Sequence, residues 1–279
     1  MKNILIPTDF SENAWNAIQY ASHFFSKSSC NFYLLHVNTS STLGTEESAY
    51  VNKKSSTSEI LTKPIKKLLQ ETVKRIHDQL PKNPTHKFFT ISDSNYIINS
   101  IREQVVLNGI DFIVMGAKGT SGFNKRSIGS NTGNVITKVK CATLVVPENS
   151  QYRALKKLAF PTDFSIFYRT ETLQPVLDII EANKAEVNVL YVNKHSLELN
   201  EDQQRNKEYL TDYFTNYEHS FHFVIDKYIE NAVQQFVDDK GIHLITMLAK
   251  NLNYFQQILF HPAVNNISYY RNIPFLVLH

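Results

Sequence analysis

The chain has 279 residues, a formal net charge of +3, 42% hydrophobic and 20% charged residues, a length that suits two domains and a composition ordinary for a soluble globular protein. The charge is too mild, and too free of basic stripes interleaved with aromatics, to argue for nucleic acid. No apolar run approaches the roughly 18 residues of a membrane span, and the amino terminus, Met-Lys-Asn-Ile-Leu-Ile-Pro, has no signal-peptide core, so the expected compartment is the cytoplasm. Cys30 and Cys141 have neither metal-ligand nor redox spacing and read as small buried residues.

In chain order, Lys2 to Pro7 reads as a strand that ends in Pro-Thr-Asp-Phe-Ser, with Ser11 as the cap of the following helix. Ala14, Ile18, Ala21, Phe24 and Phe25 recur at helical spacing, so that helix lays one face on a sheet. Asn31 to Val37 is a second strand, within which His36 reads as a hydrogen-bonded core residue. Residues 38–58 are Ser/Thr-rich and read as a loop. A charged helix is expected over about Glu59 to Leu80, closed by Pro81 and Pro84. His86 to Ile91 is a third strand and Tyr96 to Leu107 a third helix, with Gly109 where a helix ends. Asp111 to Met115 is a fourth strand, Thr132 to Val139 a helix capped by Ser130, Asn131 or Thr132, and Ala142 to Pro147 a fifth strand. Alternating strands and helices indicate a parallel sheet covered by helices.

The pattern then runs again. Leu158 to Ser165 repeats Ile4 to Ser11 nearly letter for letter, Val187 to Asn193 echoes the second strand, Tyr228-Ile-Glu-Asn-Ala repeats Tyr96-Ile-Ile-Asn-Ser, and Gly241 to Met247 repeats Gly109 to Met115. Self-similarity at this period means a duplicated domain. The expected units are residues 1–148 and 156–279, joined by a short polar junction. Their fifth strands, Ala142–Pro147 and Ile273–Leu278, are apolar edges expected to meet across a pseudo-twofold axis, an intramolecular pseudo-dimer that leaves further homodimerisation open.

Five of the eight glycines (116, 119, 122, 129 and 133) crowd into the segment between the fourth strand and its helix. Glycine permits positive φ and lets a backbone approach a ligand closely. A loop leaving a parallel strand and converging on a helix N-terminus is an anion cradle. Lys118, Lys125 and Arg126 add positive charge. The spacing Gly116-x2-Gly119-x9-Gly129-Ser130 is neither a Walker loop nor the dinucleotide G-x-G-x-x-G. In the second copy Leu248 stands opposite Gly116, Asn251 opposite Gly119 and His261-Pro262 opposite Gly129-Ser130, so that copy has lost the cradle.

The repeated αβ pattern, the Pro-Thr-Asp-Phe-Ser start and the glycine spacing together resemble a tandem member of the universal stress protein family. The resemblance implies two tandem doubly wound α/β domains, Rossmann-like, each with a five-stranded parallel sheet, and binding of ATP or another adenine nucleotide in the first. It implies Pro7 and Asp9 at the adenosine end, Val37 at the adenine edge, Met115, Gly116 and Gly119 along the ribose and first phosphate, and Gly129, Ser130, Asn131 and Thr132 around the distal phosphates. Asp163 persists where the cradle is gone, so Asp9 could equally order the turn into the first helix. No carboxylate or glutamine positions a water for hydrolysis, so no catalytic residue is assigned and turnover is at most slow. Mg²⁺ could bridge the phosphates, with no dedicated ligand cluster. The second reading, from another class, is a ligand-free interaction scaffold for a protein partner. An adenylating enzyme of the ATP-pyrophosphatase type fits poorly, because residues 7–11 hold no glycine.

Overall fold

The computed structural model describes residues 1–38, 64–117, 128–251, 258 and 272–279. Strands β1 (Lys2–Pro7), β2 (Cys30–Val37), β3 (His86–Asp93), β4 (Phe112–Gly116) and β5 (Ala142–Val146) alternate with helices α1 (Glu12–Phe24), α2 (Ile65–Gln79), α3 (Ile97–Leu107) and α4 (Ser130–Lys138). The second half follows with β6 (Lys157–Thr162), α5 (Thr170–Asn183), β7 (Glu186–Asn193), α6 (Glu201–Tyr213), β8 (His219–Ile225), α7 (Ile229–Lys240), β9 (Leu244–Leu248) and β10 (Phe275–Leu278).

All ten strands form one sheet in the order β3-β2-β1-β4-β5-β10-β9-β6-β7-β8. Neighbours are parallel within each half, and β5 meets β10 antiparallel through Val145↔Phe275, Leu144↔Leu276 and Thr143↔Val277. The order of the second half mirrors that of the first about this seam, as a pseudo-twofold requires. Two doubly wound α/β units therefore share an edge, and the expected meeting of the fifth strands is what the structure shows.

Side chains alternate across the strands with period two. Ile4 and Ile6 face α1 and α2, while Leu5 faces α3 and α4. Helices α1, α2, α5 and α6 cover one face, and α3, α4 and α7 the other. Lys2 on β1 pairs with Asp178 on α5, and Lys27 donates to the carbonyl of Ala182 at 3.0 Å, tying the halves beyond the seam. The junction is less polar than its composition suggests: Leu155 is buried, Tyr152 packs on Tyr20 and His23, and Asn16 of α1 donates to the carbonyls of Pro147 and Ser150. Burial pushes the Cys30 thiol up to about 11 and the Cys141 thiol up to about 12, so both stay protonated and inert near neutrality.

Helix ends obey local chemistry. Ser11 accepts from the amide of Ala14, and Asn200 and Gln203 form a capping box at α6. Gly109 and Gly241 both take positive φ after α3 and α7. Helix α4 begins two residues earlier than expected, with Gly129 as its N-cap and no side-chain cap bond, so Ser130, Asn131 and Thr132 form its first turn.

Two outcomes follow. Lys184 closes α5 in the left-handed region, at φ 52°, where a side chain is strained. Lys184→Gly should stabilise the chain by about 1 kcal/mol, read from the denaturation midpoint at constant slope. Residues 1–148 expressed alone would expose the β5 edge and should form a homodimer in sedimentation experiments; a strictly monomeric fragment at high concentration would count against the seam as an edge-driven contact.

Candidate functional site

In a 3-2-1-4-5 sheet the chain winds one way from β1 and the other way from β4, and the crevice beyond their carboxyl ends is the switch point where ligands bind. Here β1 and β4 pair only through Ile4↔Phe112 and Leu5↔Ile113, although β1 runs on to Pro7 and β4 to Gly116. Bridge pairing thus stops short of Pro7 and Gly116, which stand at the carboxyl ends of the two strands, as it also does between β6 and β9.

On the β1 side the last ladder bond is Thr8 N–H to the carbonyl of Leu35, at 2.8 Å. The chain then turns sharply. Thr8 Oγ1 accepts from the Phe10 amide at 3.1 Å, and Asp9 Oδ1 accepts from the amide and hydroxyl of Ser11 at 3.1 and 2.5 Å. Phe10 is left at φ 63°, an outlier for a bulky residue, with its ring stacked on His36 at 4.6 Å. His36 Nδ1 lies 2.8 Å from the carbonyl of Thr8; since a carbonyl only accepts, that nitrogen carries the proton. His36 is thus hydrogen-bonded and half-buried, as its place in an apolar strand suggested. Because β1–β2 pairing stops at Pro7↔Leu35, Val37 projects beyond the last paired residue on the edge that Leu35 uses to bond Thr8. Its main-chain groups point toward the cleft side.

On the other side, Met115 is a core residue among the α3 and α4 side chains, and Gly116 is the last β4 residue, paired with Val146. Thr132 Oγ1 donates to the Gly116 carbonyl at 2.9 Å, and the Gly129 amide donates to the Ala117 carbonyl at 2.7 Å. These two bonds staple the start of α4 to the end of β4. They also commit the Thr132 hydroxyl proton and the Gly129 N–H to protein partners. The groups left for an anion are the first-turn amides of α4, whose carbonyl partners lie outside any helix, and the exposed Ser130 and Asn131 side chains. No acidic residue sits in that first turn, so the positive end of the helix dipole is not neutralised locally. Gly129 has φ −58° and Gly116 is extended, so at these two positions glycine supplies the missing Cβ and not a positive φ. Gly119, Gly122, Lys118, Lys125 and Arg126 lie outside the described residues.

The second half keeps the turn and closes the cleft. Phe164 N–H donates to Thr162 Oγ1 at 3.0 Å, Ser165 N–H to Asp163 Oδ1 at 2.9 Å, and Phe164 has φ 56° with its ring stacked on Tyr191. The registers Ile4↔Phe112 and Leu158↔Leu244 place Leu248 where Gly116 stands, and Leu248 is buried. Asn251 crosses the gap and donates to Asp163 Oδ1 at 2.8 Å. From above, α6 adds Gln203 to the Asp163 carbonyl at 2.8 Å and Asn206 to the Phe164 carbonyl at 2.7 Å. Spacing put Leu248 and Asn251 opposite the glycines but gave no sign of the Asn251–Asp163 bond or of α6 closing over the turn. His261 and Pro262 lie outside the described residues.

The fold and site define a duplicated, doubly wound α/β protein whose two switch points differ, one with Gly116 and the other with Leu248 and the Asn251–Asp163 bond. A family model described as "Universal stress protein family" matches residues 1–147, just over half of the chain, and the chain belongs to that family. It is 29% identical over 156 residues to the universal stress protein MJ0577 of Methanocaldococcus jannaschii, an alignment that covers 52% of this chain and 94% of that one. Its fold is shared with a universal stress protein of Archaeoglobus fulgidus, at 17% identity and TM-score 0.60 over 99% of this chain and 97% of the other. It is shared too with the protein PA1789 of Pseudomonas aeruginosa, of unknown function, at 11% identity and TM-score 0.58 over 100% and 92%. Both matches span the two halves. No helix among the described residues is long and apolar enough to cross a membrane.

Removing the plug bond tests its role. Asn251→Ala should cost about 1 kcal/mol of stability by urea denaturation, while leaving any ligand affinity of the first half unchanged.

Proposed function

We propose that this chain is a regulatory stress protein that binds one adenine nucleotide, ATP or a relative, in the cleft of residues 1–148, and that residues 156–279 form a non-binding copy. The observation that carries the reading is the contrast between two clefts on the same frame. One ends in Gly116 and the first turn of α4, which has no side-chain cap; the other holds Leu248 and an Asn251–Asp163 bond. Membership of the universal stress protein family supports the same half, since the family model ends at residue 147.

In this reading the phosphates lie against the amides of Ser130, Asn131 and Thr132 with the Ser130 hydroxyl, beside Gly119 and Gly129. The sugar crosses Gly116 above Met115, and the base reaches the Val37 main chain past Pro7 and Asp9. Thr132 acts chiefly as the staple to Gly116, and Asp9 chiefly as the organiser of the turn, with its carboxylate at the mouth of the cleft. A divalent cation such as Mg²⁺ would be carried on the phosphates. The chain assigns no group to activate water, so the nucleotide is a bound signal and not a substrate turned over rapidly. The partner that reads the bound state is a protein.

Gly129→Asp tests the site, because it sets a side chain and a negative charge at the N-cap facing the phosphates. Calorimetric titration with ATP should show affinity reduced at least about a hundredfold, roughly 2.7 kcal/mol. Wild-type chain that takes up no adenine nucleotide, or a variant that binds as well as wild type, would leave the scaffold role in its place.

A further inference from the structure

Both halves build the same turn after their first strand, Thr-Asp-Phe-Ser in sequence, with the phenylalanine at φ 63° in one and 56° in the other. They hold it by different means. In the second half α6 reaches it, through Gln203 on the Asp163 carbonyl and Asn206 on the Phe164 carbonyl. In the first half a strand side chain does so: His36 Nδ1–H donates to the Thr8 carbonyl at 2.8 Å. We propose, on the nucleotide-binding reading above, that His36 is a positioning residue for the nucleotide. Through the Thr8 carbonyl it holds the turn so that Asp9 and Val37 are presented together at the adenosine end.

The bond has a direction. Thr8 N–H bonds the Leu35 carbonyl at 2.8 Å, just past the last β1–β2 pair, Pro7↔Leu35. With His36 engaged, both main-chain groups of Thr8 are tied to β2. The peptide that follows is planar and trans, so the Asp9 N–H points away from the Thr8 carbonyl, toward β4 on the other flank of β1. That is the side on which β4 ends in Gly116. Asp9 Oδ1 accepts from the amide and hydroxyl of Ser11, bonds that shape the turn from within. The His36 bond instead fixes the turn to the sheet, and without it the peptide plane is free to rotate and carry Asp9 with it. Val37 follows His36 directly, so one side chain couples the two strand ends that this reading sets around the base.

Phe10 at positive φ is strained, and such a residue persists only where its surroundings over-determine it. His36 supplies two contacts to that end, the ring stack at 4.6 Å and the hydrogen bond. The second half separates them. The registers Pro7↔Leu35 and Pro161↔Leu190 make Tyr191 the counterpart of His36. Tyr191 keeps the stack, on Phe164 at 5.5 Å, but its ring has no N–H, and its hydroxyl accepts from Asn193 Nδ2 at 2.9 Å. The stack is therefore common to both copies, whereas the imidazole donor belongs to the half whose fourth strand ends in glycine. A site whose walls are ordered before binding loses less freedom when it is filled.

NMR and calorimetry on the full chain test this. Long-range ¹H–¹⁵N spectra should show His36 protonated at Nδ1 near neutral pH; a proton on Nε2 alone would overturn the proposal. His36→Tyr installs the counterpart residue, keeping the stack and removing the donor, and should weaken ATP and ADP by the same factor, at least about tenfold. His36→Phe makes the same test should the tyrosine hydroxyl not fit. His36→Asn loses the ring but keeps an amide N–H near the Nδ1 position, and should bind within about threefold of wild type. Wild-type chain that binds no ATP would remove the nucleotide reading and the role of His36 with it. Wild-type binding that survives undiminished in the tyrosine and phenylalanine variants, or that falls as far in His36→Asn, would overturn the positioning role alone.

Discussion

The seam between β5 and β10 is the contact on which the rest of the molecule depends. A five-stranded parallel unit of order 3-2-1-4-5 leaves its fifth strand as an edge, and here that strand is apolar but for Thr143: Ala-Thr-Leu-Val-Val in one half, Phe-Leu-Val-Leu in the other. Such an edge is a template for uncontrolled pairing. Antiparallel pairing of two such edges within one chain consumes both. Leu144, Val145, Leu276 and Val277 become fully buried, with helices on both faces. Each half completes the sheet of the other, and this physical role persists whatever ligand chemistry either half keeps.

That dependence explains how one copy can lose its cleft. The second half is needed as a strand partner and as a supplier of α5, whose Asp178 and Ala182 carbonyl take up Lys2 and Lys27 of the first half. Nothing in this role requires an open switch point. Filling it with Leu248 and bridging it with Asn251 adds buried contact and a hydrogen bond to a carboxylate. The turn after the first strand is retained in both copies, with phenylalanine at positive φ each time. Its strain is offset by the aromatic stack behind it, Phe10 on His36 and Phe164 on Tyr191, and that stack belongs to the frame, not to the ligand.

Most of the frame is legible in the letters because its signals are local. β1 runs from Lys2 to Pro7 as expected, Ser11 caps α1, and Gly109 ends α3, since period, cap and left-handed glycine are each decided within a few residues. The meeting of the fifth strands was legible for a different reason: a repeated unit with an apolar last strand has few ways to hide it. The start of α4 was misplaced by two residues because Ser130, Asn131 and Thr132 are all good caps, and propensity cannot tell that Thr132 is wanted one turn later for the Gly116 carbonyl. The plug was invisible because Asn251 and Asp163 lie 88 positions apart and meet only through the register of β6 with β9. Glycine at 116 and 129 is not used for backbone freedom, since neither takes positive φ.

The two halves therefore differ by more than a lost motif. At the carboxyl pole of the sheet the first has Gly116 where the second has Leu248. That change runs toward less buried side chain in the first half. Less buried apolar surface means less stability contributed by that half, and the shortfall must be met from outside it. The seam and the α5 contacts provide it, because β5 cannot leave β10 without exposing both apolar edges at once. Duplication with unequal packing thus lets one copy hold the sheet together while the other keeps glycine at the end of its fourth strand. On the nucleotide-binding role proposed above, the first half would respond to its ligand while the second keeps the fold.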